Sequence, residues 1–345
     1  MALIYTIISV ICPLGLVVTA LTNDVEESSP SNKFPLLMPD VKPTSDELYL
    51  CTAVELNDHD QFYVTGFEPH SSQMIAHHIL VYTCGEPGNP EPGAVWNCGE
   101  MHADGNSDYE AEPVCAPGSH TEIIYGWAKD AKALNLPEGV GFKVGGASAR
   151  RYLVLQVHYM HKMNKIDRSG VVLTYTSEPQ PKEAGVLLMG TGGSIPAGSH
   201  TNMDTACTIN EPVEMHPFAF RTHTHKLGRS VSGYRVRGNG DEWALIGEHD
   251  PQQPQMFYPV NDDKIVIRQG DVVAAQCCMV NNLEHDVDIG ATNDDEMCNF
   301  YMMYWVNGDR ILDDGMCFTY GPPEYSWAGA GLQNLPKNTC DAKQK

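Results

Sequence analysis

The sequence is poor in basic residues: 22 Lys and Arg stand against 44 Asp and Glu, which gives a formal charge of -22 at pH 7. Nucleic-acid-binding proteins normally carry the opposite charge, so the composition excludes that class. No HExxH motif is present, which argues against a zincin protease. No two cysteines have the CxxC spacing of a zinc ribbon or a redox dithiol. With 42% hydrophobic residues in 345, the chain still has enough apolar material for one or two domains with a buried core.

Only one stretch of the sequence is long and apolar enough to be a signal peptide or a membrane anchor. Residues 2–19 carry no charge, are interrupted by Pro13 and Gly15, and lead to small residues that end at Ala20. This pattern predicts a secretory signal peptide over residues 1–20, although no Lys or Arg stands in front of it. An uncleaved membrane anchor is the alternative, but the run is at the short end for a span. We therefore expect a soluble product without a membrane span, secreted or held in the lumen of a secretory granule.

The cysteines agree with an oxidising compartment. Eleven are present, and removal of residues 1–20 removes Cys12. The other ten form a group of four and a group of six, separated by the gap between Cys115 and Cys207. Because both counts are even, they predict structural disulfides that close within two separate domains.

The remaining pattern is typical of an all-β protein. Short apolar or alternating runs are separated by Gly, Pro, Asn and Asp, which favours antiparallel sandwiches or barrels. The proline-rich segment 177–181 suggests a domain boundary. We predict a flexible leader over residues 21–35, β-sandwiches over 36–180 and 181–320, and a loose tail over 321–345.

Histidines carry the candidate chemistry. In the RTHTH segment, His223 and His225 would face the same side of a strand and could hold one metal ion, or they could be two surface imidazoles. His77 and His78 would face opposite sides of a regular strand, so a shared ion requires a twist, a bulge or different ring nitrogens. The simpler alternative is one buried and one exposed histidine.

Two further residues fit a metal only in combination with these pairs. His158 lies in the run RYLVLQVHYM, where a single strand histidine is commonly a packed core side chain. Met297 stands beside Cys298 and would be held rigidly by a disulfide there. Imidazole combined with thioether in an oxidising compartment suits copper, which cycles between Cu(I) and Cu(II).

Seven segments of the chain resemble the peptidylglycine α-hydroxylating monooxygenase family, the copper type II ascorbate-dependent monooxygenases. The resemblance covers about residues 36–320. The segments that carry it are IAHHILVYTC (75–84), LPEGVGFKVGG (136–146), YLVLQVHY (152–159), FRTHTHKLG (220–228), SGYRVR (232–237), PQQPQMFYPV (251–260) and DEMCNFYMMYW (295–305).

The resemblance implies two jelly-roll-like antiparallel β-sandwiches, each with one copper ion. One copper would be held in the first domain by His77, His78 and His158, and would supply electrons. The other would be held in the second domain by His223, His225 and Met297, where O2 and substrate meet. Ascorbate would reduce both coppers, one electron each.

The implied reaction is hydroxylation of the α-carbon of a peptide's C-terminal glycine, the first step of peptide amidation. The resemblance assigns the substrate carboxylate to Arg221, and further substrate contacts to Asn299 and Tyr301. Arg221 lies two residues before His223, so both would share a strand face, and a guanidinium suits a carboxylate. Without the resemblance, a surface salt bridge would be the simpler interpretation of Arg221.

The resemblance also implies disulfides, here with two departures. The implied pairs are Cys51–Cys98, Cys84–Cys115, Cys207–Cys317 and Cys277–Cys298. The family's bridge from the extreme N-terminus has no cysteines here, and residues 167–170 stand where one would be. Cys278 and Cys340 are additional and are candidates to pair and tie down the tail, while the adjacency of Cys277 and Cys278 leaves the partner of Cys298 open.

Three alternatives remain. A related dopamine-hydroxylating type of monooxygenase would use an amine such as a phenethylamine, without the matching arginine and with an extra N-terminal domain. A non-catalytic secreted copper-binding protein would have no reason to place Arg221 beside an open site. A zinc hydrolase would need a general base, for which Glu296 is the candidate. Because no lyase segment follows residue 345, we expect a monofunctional hydroxylase that depends on a separate lyase.

Overall fold

The computed structural model describes residues 8–11, 17–20, 32–99, 108–290, 292, 294–337 and 340. In these ranges the named elements are strands, apart from one short 3-10 turn at Gly238–Gly240. The all-β, mainly antiparallel fold class predicted from the turn-rich pattern is confirmed. The strands in chain order are β1 Ile8–Ile11, β2 Val17–Ala20, β3 Asn32–Leu37, β4 Leu48–Glu55, β5 Gln61–His70, β6 His78–Cys84, β7 Trp96–Asn97, β8 Thr121–Ala128, β9 Leu134–Asn135, β10 Val140–Gly145, β11 Tyr152–Tyr159, β12 Gly170–Thr176, β13 Lys182–Thr191, β14 Ser194–Ile195, β15 His200–Thr208, β16 Glu214–His223, β17 Gly228–Arg237, β18 Glu242–His249, β19 Tyr258–Pro259, β20 Ile267–Arg268, β21 Val272–Val280, β22 Val287–Asp288, β23 Asn299–Asn307 and β24 Met316–Thr319.

The first 30 residues form a unit of their own, in which β1 and β2 pair antiparallel. This unit contains the expected signal peptide, which stays a prediction. Among the described residues, no helix has the length and apolar character needed to span a bilayer.

The first half of the remaining chain is a sandwich around one apolar core. A five-stranded sheet in the order β7-β4-β11-β6-β8 packs against the neighbouring strands β10-β5-β12-β3. Leu50, Val81 and Leu155 come from the first of these layers, Val64 and Phe142 from the second, and all five are buried in the same cluster. Their burial follows from strand alternation, since side chains two residues apart face the same layer.

The second half repeats this arrangement. A four-stranded sheet, β15-β21-β17-β18, packs against β19-β16-β23-β13 over a second cluster that contains Phe220 and Phe300. These two rings stack at 5.5 Å between centroids. They fit because Gly233 and Gly247 face them, where an added Cβ would come within 2.3 Å of Phe300 and 2.2 Å of Phe220 respectively.

One sheet runs through both halves, because β10 and β13 pair in parallel. The buried Arg150 reinforces this junction: its Nε donates to Glu122 at 2.7 Å and its Nη1 donates to Glu183 at 2.5 Å. Glu122 lies on β8 and Glu183 on β13. The domain boundary at residues 180 and 181 stays a prediction; the structure begins β13 directly after it, at Lys182.

Both ends of the sandwich region differ from the expectation. Residues 32–35 of the expected leader belong to β3, which pairs with β12. The tail is also not loose where it is described, because Trp327 is 1% exposed and donates from its ring Nε1 to the Thr205 carbonyl at 2.9 Å. Its apolar ring completes a small cluster on β17 and β21, which the sequence pattern did not indicate.

The structure joins five cysteine pairs. They are Cys51–Cys98, Cys84–Cys115, Cys207–Cys317, Cys277–Cys298 and Cys278–Cys340. The first four are the pairs that the resemblance implies, and the fifth ties residue 340 to β21.

Candidate metal centre

Strand register brings three histidines together in the first sandwich. In the antiparallel pair β6–β11, His78 lies directly opposite His158, so their side chains are cross-strand neighbours. His77 stands just before β6 begins and is free of the strand's strict alternation. The chain bends at His77, so the two adjacent histidines do not have to face opposite sides of a strand. Both rings therefore point into the same space.

The three imidazoles form a compact donor set. One nitrogen from each lies within 4.8 Å of the others, and the Nδ1 atoms of His77 and His158 are 3.1 Å apart. His78 is 4% exposed, yet neither of its ring nitrogens has a hydrogen-bond partner. A buried polar atom without a partner is costly, so an absent ligand is the simplest explanation. Burial, followed by the charge of His158, lowers the pKa of His77 to about 4, and burial lowers that of His78 well below its usual range.

The second donor set lies on the antiparallel pair β16–β23. Arg221 is directly opposite Tyr301, and His223 is directly opposite Asn299. Arg221 and His223 therefore share a strand face, as their spacing predicts. His225 does not belong to this strand, since β16 ends at His223. The prediction that both histidines lie on one strand is wrong, but their rings still approach to 5.5 Å between centroids.

Gln255 orients the donors on β16. Its side-chain oxygen accepts from Nδ1 of His223 at 2.6 Å, which leaves Nε2 of that ring to carry the lone pair. Its backbone oxygen accepts from Nε of Arg221 at 3.0 Å. Gln255 is 2% exposed, so one buried residue fixes both the imidazole and the guanidinium.

Glu296 organises the loops that carry His225 and Met297. Its fully buried carboxylate accepts backbone N–H groups from Leu227 at 2.6 Å, His225 at 2.9 Å and Met297 at 3.2 Å. His225 also donates from Nδ1 to the Asp295 carbonyl at 2.9 Å. A carboxylate occupied by three donors is a poor general base, and this geometry argues against the hydrolase alternative.

Arg221 is a buried cation without an acidic partner. It is 1% exposed, and no Asp or Glu forms an ion pair with it among the residues that the structure describes. Its Cζ lies 5.0 Å from the centroid of the Tyr301 ring. Burial lowers the pKa of the guanidinium, and Tyr301 and Tyr125 offset only part of that effect. Such a site is suited to an anionic ligand.

The two donor sets lie close to each other. The rings of His78 and His223 are 6.1 Å apart between centroids. A cavity of about 20 Å³, room for about one water molecule, separates them. It is lined by His78, Leu80, Arg221, His223, Met297 and Tyr301.

Asn299 also lies at this site: its amide nitrogen is 3.8 Å from the Met297 sulfur. All nine predicted site residues are thus brought to one region of the molecule. They are His77, His78, His158, Arg221, His223, His225, Met297, Asn299 and Tyr301.

Sequence reasoning missed the residues that orient these donors. Glu47, whose carboxylate oxygen is 2.9 Å from Nε2 of His158, carries no motif that marks it. Gln255 lies in the segment PQQPQMFYPV, and the family resemblance of this segment gives the glutamine no role. For Glu296 the sequence suggests only a general base, although its position next to Met297 is a signal for a role in holding that residue.

The donor chemistry fits copper: imidazole nitrogens form one set, and imidazoles with a thioether form the other. An all-β, disulfide-bonded protein with these two sets facing each other belongs to the class of copper oxidoreductases. Two family models cover most of the chain, the copper type II ascorbate-dependent monooxygenase N-terminal domain over residues 34–166 and the C-terminal domain over residues 182–330. The chain belongs to the copper type II ascorbate-dependent monooxygenase family.

Curated relatives agree with this assignment. Peptidyl-glycine alpha-amidating monooxygenase A of Xenopus laevis is 39% identical over 311 residues, which are 87% of this chain and 30% of the relative. Peptidylglycine alpha-amidating monooxygenase of Rattus norvegicus is 38% identical over 306 residues, 87% of this chain and 29% of the relative. Human dopamine beta-hydroxylase is 27% identical over 288 residues, 76% and 44% of the two chains. The chain thus spans about 30% of the length of the peptidylglycine relatives that it matches.

Proposed function

We propose that this protein is a copper- and ascorbate-dependent monooxygenase that hydroxylates the α-carbon of the C-terminal glycine of peptides. It would bind two copper ions, one at His77, His78 and His158 and one at His223, His225 and Met297. Bound copper would supply one-electron chemistry and the activation of O2. The family assignment and the higher identity to peptidylglycine enzymes than to dopamine beta-hydroxylase support this choice.

The observation that carries the proposal is the environment of Arg221. Its guanidinium is buried, has no acidic partner in the part of the chain that the structure describes, and lies on the same strand face as His223. A peptide carboxylate would neutralise this charge and form charge-assisted hydrogen bonds with it. Such a contact sets the C-terminal residue, and hence its α-carbon, next to the donors of the second site. A phenethylamine carries no anion for this position.

The other residues of the second site orient the substrate or the donors. Tyr301, opposite Arg221, and Asn299, opposite His223, face the same space and would contact the peptide end. Gln255 and Glu296 hold the metal-binding side chains in one geometry, so little reorganisation is needed during the reaction. The 20 Å³ cavity is smaller than a glycine carboxylate, so peptide binding requires its walls to move.

The first donor set would store the second electron close to the reaction. Before the cavity opens, the His78 and His223 rings are 6.1 Å apart, a distance short enough for electron transfer, and ascorbate is the reductant that the family uses. The disulfides and the apolar N-terminal run fit a secreted or secretory-granule protein that processes glycine-extended peptides.

Oxygen consumption by the copper-loaded protein with ascorbate tests the proposal. Parallel samples would contain a short peptide ending in glycine, the same peptide ending in glycinamide, and a phenethylamine, with products identified by mass. We expect a gain of one oxygen atom on the free-acid peptide only. Turnover of the amine alone would identify an amine monooxygenase. Two bound coppers without any turnover would identify a copper-binding protein, and stoichiometric zinc instead of copper would favour a hydrolase.

A further inference from the structure

Glu47 occupies a special position beside the first donor set. It directly precedes β4, whose Tyr49 lies opposite His158 in the β4–β11 pair. Its backbone has φ of 53°, a left-handed conformation that is unusual for a residue other than glycine. Its backbone N–H donates to the Met160 carbonyl at 3.2 Å, which holds Glu47 against the end of the strand that carries His158.

This turn directs the carboxylate back to the buried imidazole. Oε2 of Glu47 is 2.9 Å from Nε2 of His158. The His158 side chain is 2% exposed, whereas that of Glu47 is 41% exposed, so the carboxylate reaches the ring from the solvent side. A carboxylate can only accept, so the proton of the neutral imidazole is placed on Nε2 and the lone pair on Nδ1.

The assignment of the lone pair matters because of where Nδ1 points. Nδ1 of His158 is the atom 3.1 Å from Nδ1 of His77, inside the three-imidazole set. Tyr49 also restrains the ring, since it stacks on His158 at 4.0 Å with planes 7° apart. Stacking fixes the plane of the ring, but it does not select a tautomer. The hydrogen bond from Nε2 to Glu47 does select one.

We propose that Glu47 is a positioning residue of the first copper site, which fixes Nδ1 of His158 as the ligand atom and lowers the reduction potential of the bound copper. A carboxylate that accepts from the far nitrogen of a metal-bound histidine makes the imidazole a stronger donor. Its negative charge favours Cu(II) over Cu(I), because the more highly charged ion gains more from it. This inference rests on the copper assignment within the proposed function.

Two substitutions separate the hydrogen bond from the charge. Glu47→Gln keeps an acceptor oxygen but removes the charge, whereas Glu47→Leu removes both. Glu55→Gln is the matched control: Glu55 ends the same strand, its side chain is 65% exposed, and it pairs with Arg151 at 3.9 Å. All are made in the full chain with a His225→Ala background, which weakens copper binding at the second site. Copper binding at the first site can then be measured by itself. The measurements are Cu(II) affinity by chelator competition, the reduction potential, and thermal unfolding without metal.

We expect Glu47→Leu to weaken Cu(II) binding at the first site about 10- to 100-fold, the usual effect of losing such a partner. We expect Glu47→Gln, which keeps the hydrogen bond, to weaken Cu(II) binding less than Glu47→Leu does. It should still raise the potential, because the lost charge weakens Cu(II) binding more than Cu(I) binding. A tenfold change in the preference for Cu(II) over Cu(I) corresponds to about 59 mV for one electron. Glu55→Gln should change neither quantity.

Unchanged affinity and potential in both Glu47 variants would overturn the inference, as would a lower unfolding temperature without a change in potential. Equal shifts in the Glu55 control would overturn it too, because any lost surface charge would then suffice. These readouts do not involve peptide. If the copper effects appear while the parent protein hydroxylates no peptide, the inference about Glu47 stands and the proposed substrate is wrong.

Discussion

Replacement of Arg221 by methionine should make the protein more stable and a poorer binder of peptide. Methionine is unbranched, flexible and uncharged, and although it is two atoms shorter it can fill most of the same space against Leu80 and Tyr301. The parent protein holds the guanidinium 1% exposed, with no carboxylate to neutralise it among the described residues. Stability and binding should therefore change in opposite directions, which is characteristic of a residue retained for its ligand.

The size of each effect follows from the contacts of Arg221. Burying a charge without an ionic partner costs several kcal/mol of stability. The hydrogen bond to the Gln255 carbonyl and the contact with the Tyr301 ring each offset about 1 kcal/mol of that cost. We expect the variant to gain about 1–3 kcal/mol in free energy of unfolding. One kcal/mol corresponds to roughly 2–4 °C in Tm for chains of 150–250 residues, and to less in longer ones. Loss of a charged hydrogen bond, about 1.5–3 kcal/mol, should raise KM for the free-acid peptide about 10- to 150-fold.

Calorimetry of the metal-free protein and steady-state kinetics of the copper-loaded protein measure the two effects. Arg151→Met is the matched control, since the Arg151 side chain is 56% exposed and its partner Glu55 is 3.9 Å away. That control should stay within about 0.5 kcal/mol of the parent and keep its KM. A lower Tm for Arg221→Met with an unchanged KM would refute the reasoning, because the guanidinium would then be a structural group.

Three further changes test residues that support the site or the second sandwich. Glu296→Gln should lower copper retention at the second site and cost about 2–4 kcal/mol of stability, because an amide NH2 then faces backbone N–H donors; equilibrium dialysis and calorimetry measure both. Removal of the Cys278–Cys340 bridge, which closes a separation of 62 residues, should cost about 4 kcal/mol by chain entropy and expose the tail to limited proteolysis. Gly233→Ala should cost about 1–3 kcal/mol in denaturant unfolding, since its Cβ would come within 2.3 Å of the Phe300 ring.

Each of these tests has its own control. Glu284→Gln removes an exposed acid and should leave copper content unchanged; an equal loss there would mean that net charge, not Glu296, governs retention. If the variant without the Cys278–Cys340 bridge resists protease like the parent, packing of the tail alone holds it. Combining Gly233→Ala with Phe300→Leu should recover part of the lost stability, and simple additivity would mean that the two residues do not clash.

The hydrophobic periodicity and the composition of the sequence predict much of the fold. Short alternating runs between turn residues predicted the antiparallel sandwiches because alternation is a local property of a strand. The same alternation predicted that Arg221 and His223 share a face, and they do. It failed at His225 and at His77, which lie just outside β16 and β6, because strand ends depend on the surrounding turns. Their metal-site assignment came from resemblance instead.

The supporting residues could not be predicted in this way. Glu47 is 111 positions from His158, and Gln255 is 32 positions from His223. Such contacts depend on strand register and on individual turns, such as the left-handed backbone of Glu47, which have no local periodic signal. The packing of Trp327 in the tail escaped prediction for a related reason, because one apolar residue has no period. The sequence offered only Cys278 and Cys340 as candidates to tie the tail down.

Arg221 lies under the same layer of strands that carries His78. Leu80 and His78 lie on the same strand, and both line the cavity beside the guanidinium. Gly126 on β8 also faces it, so closely that an added Cβ would lie 3.3 Å from Cζ of Arg221. β6 and β8 are paired antiparallel in one sheet. A displacement of this layer that uncovers Arg221 would therefore also carry His78 away from His223.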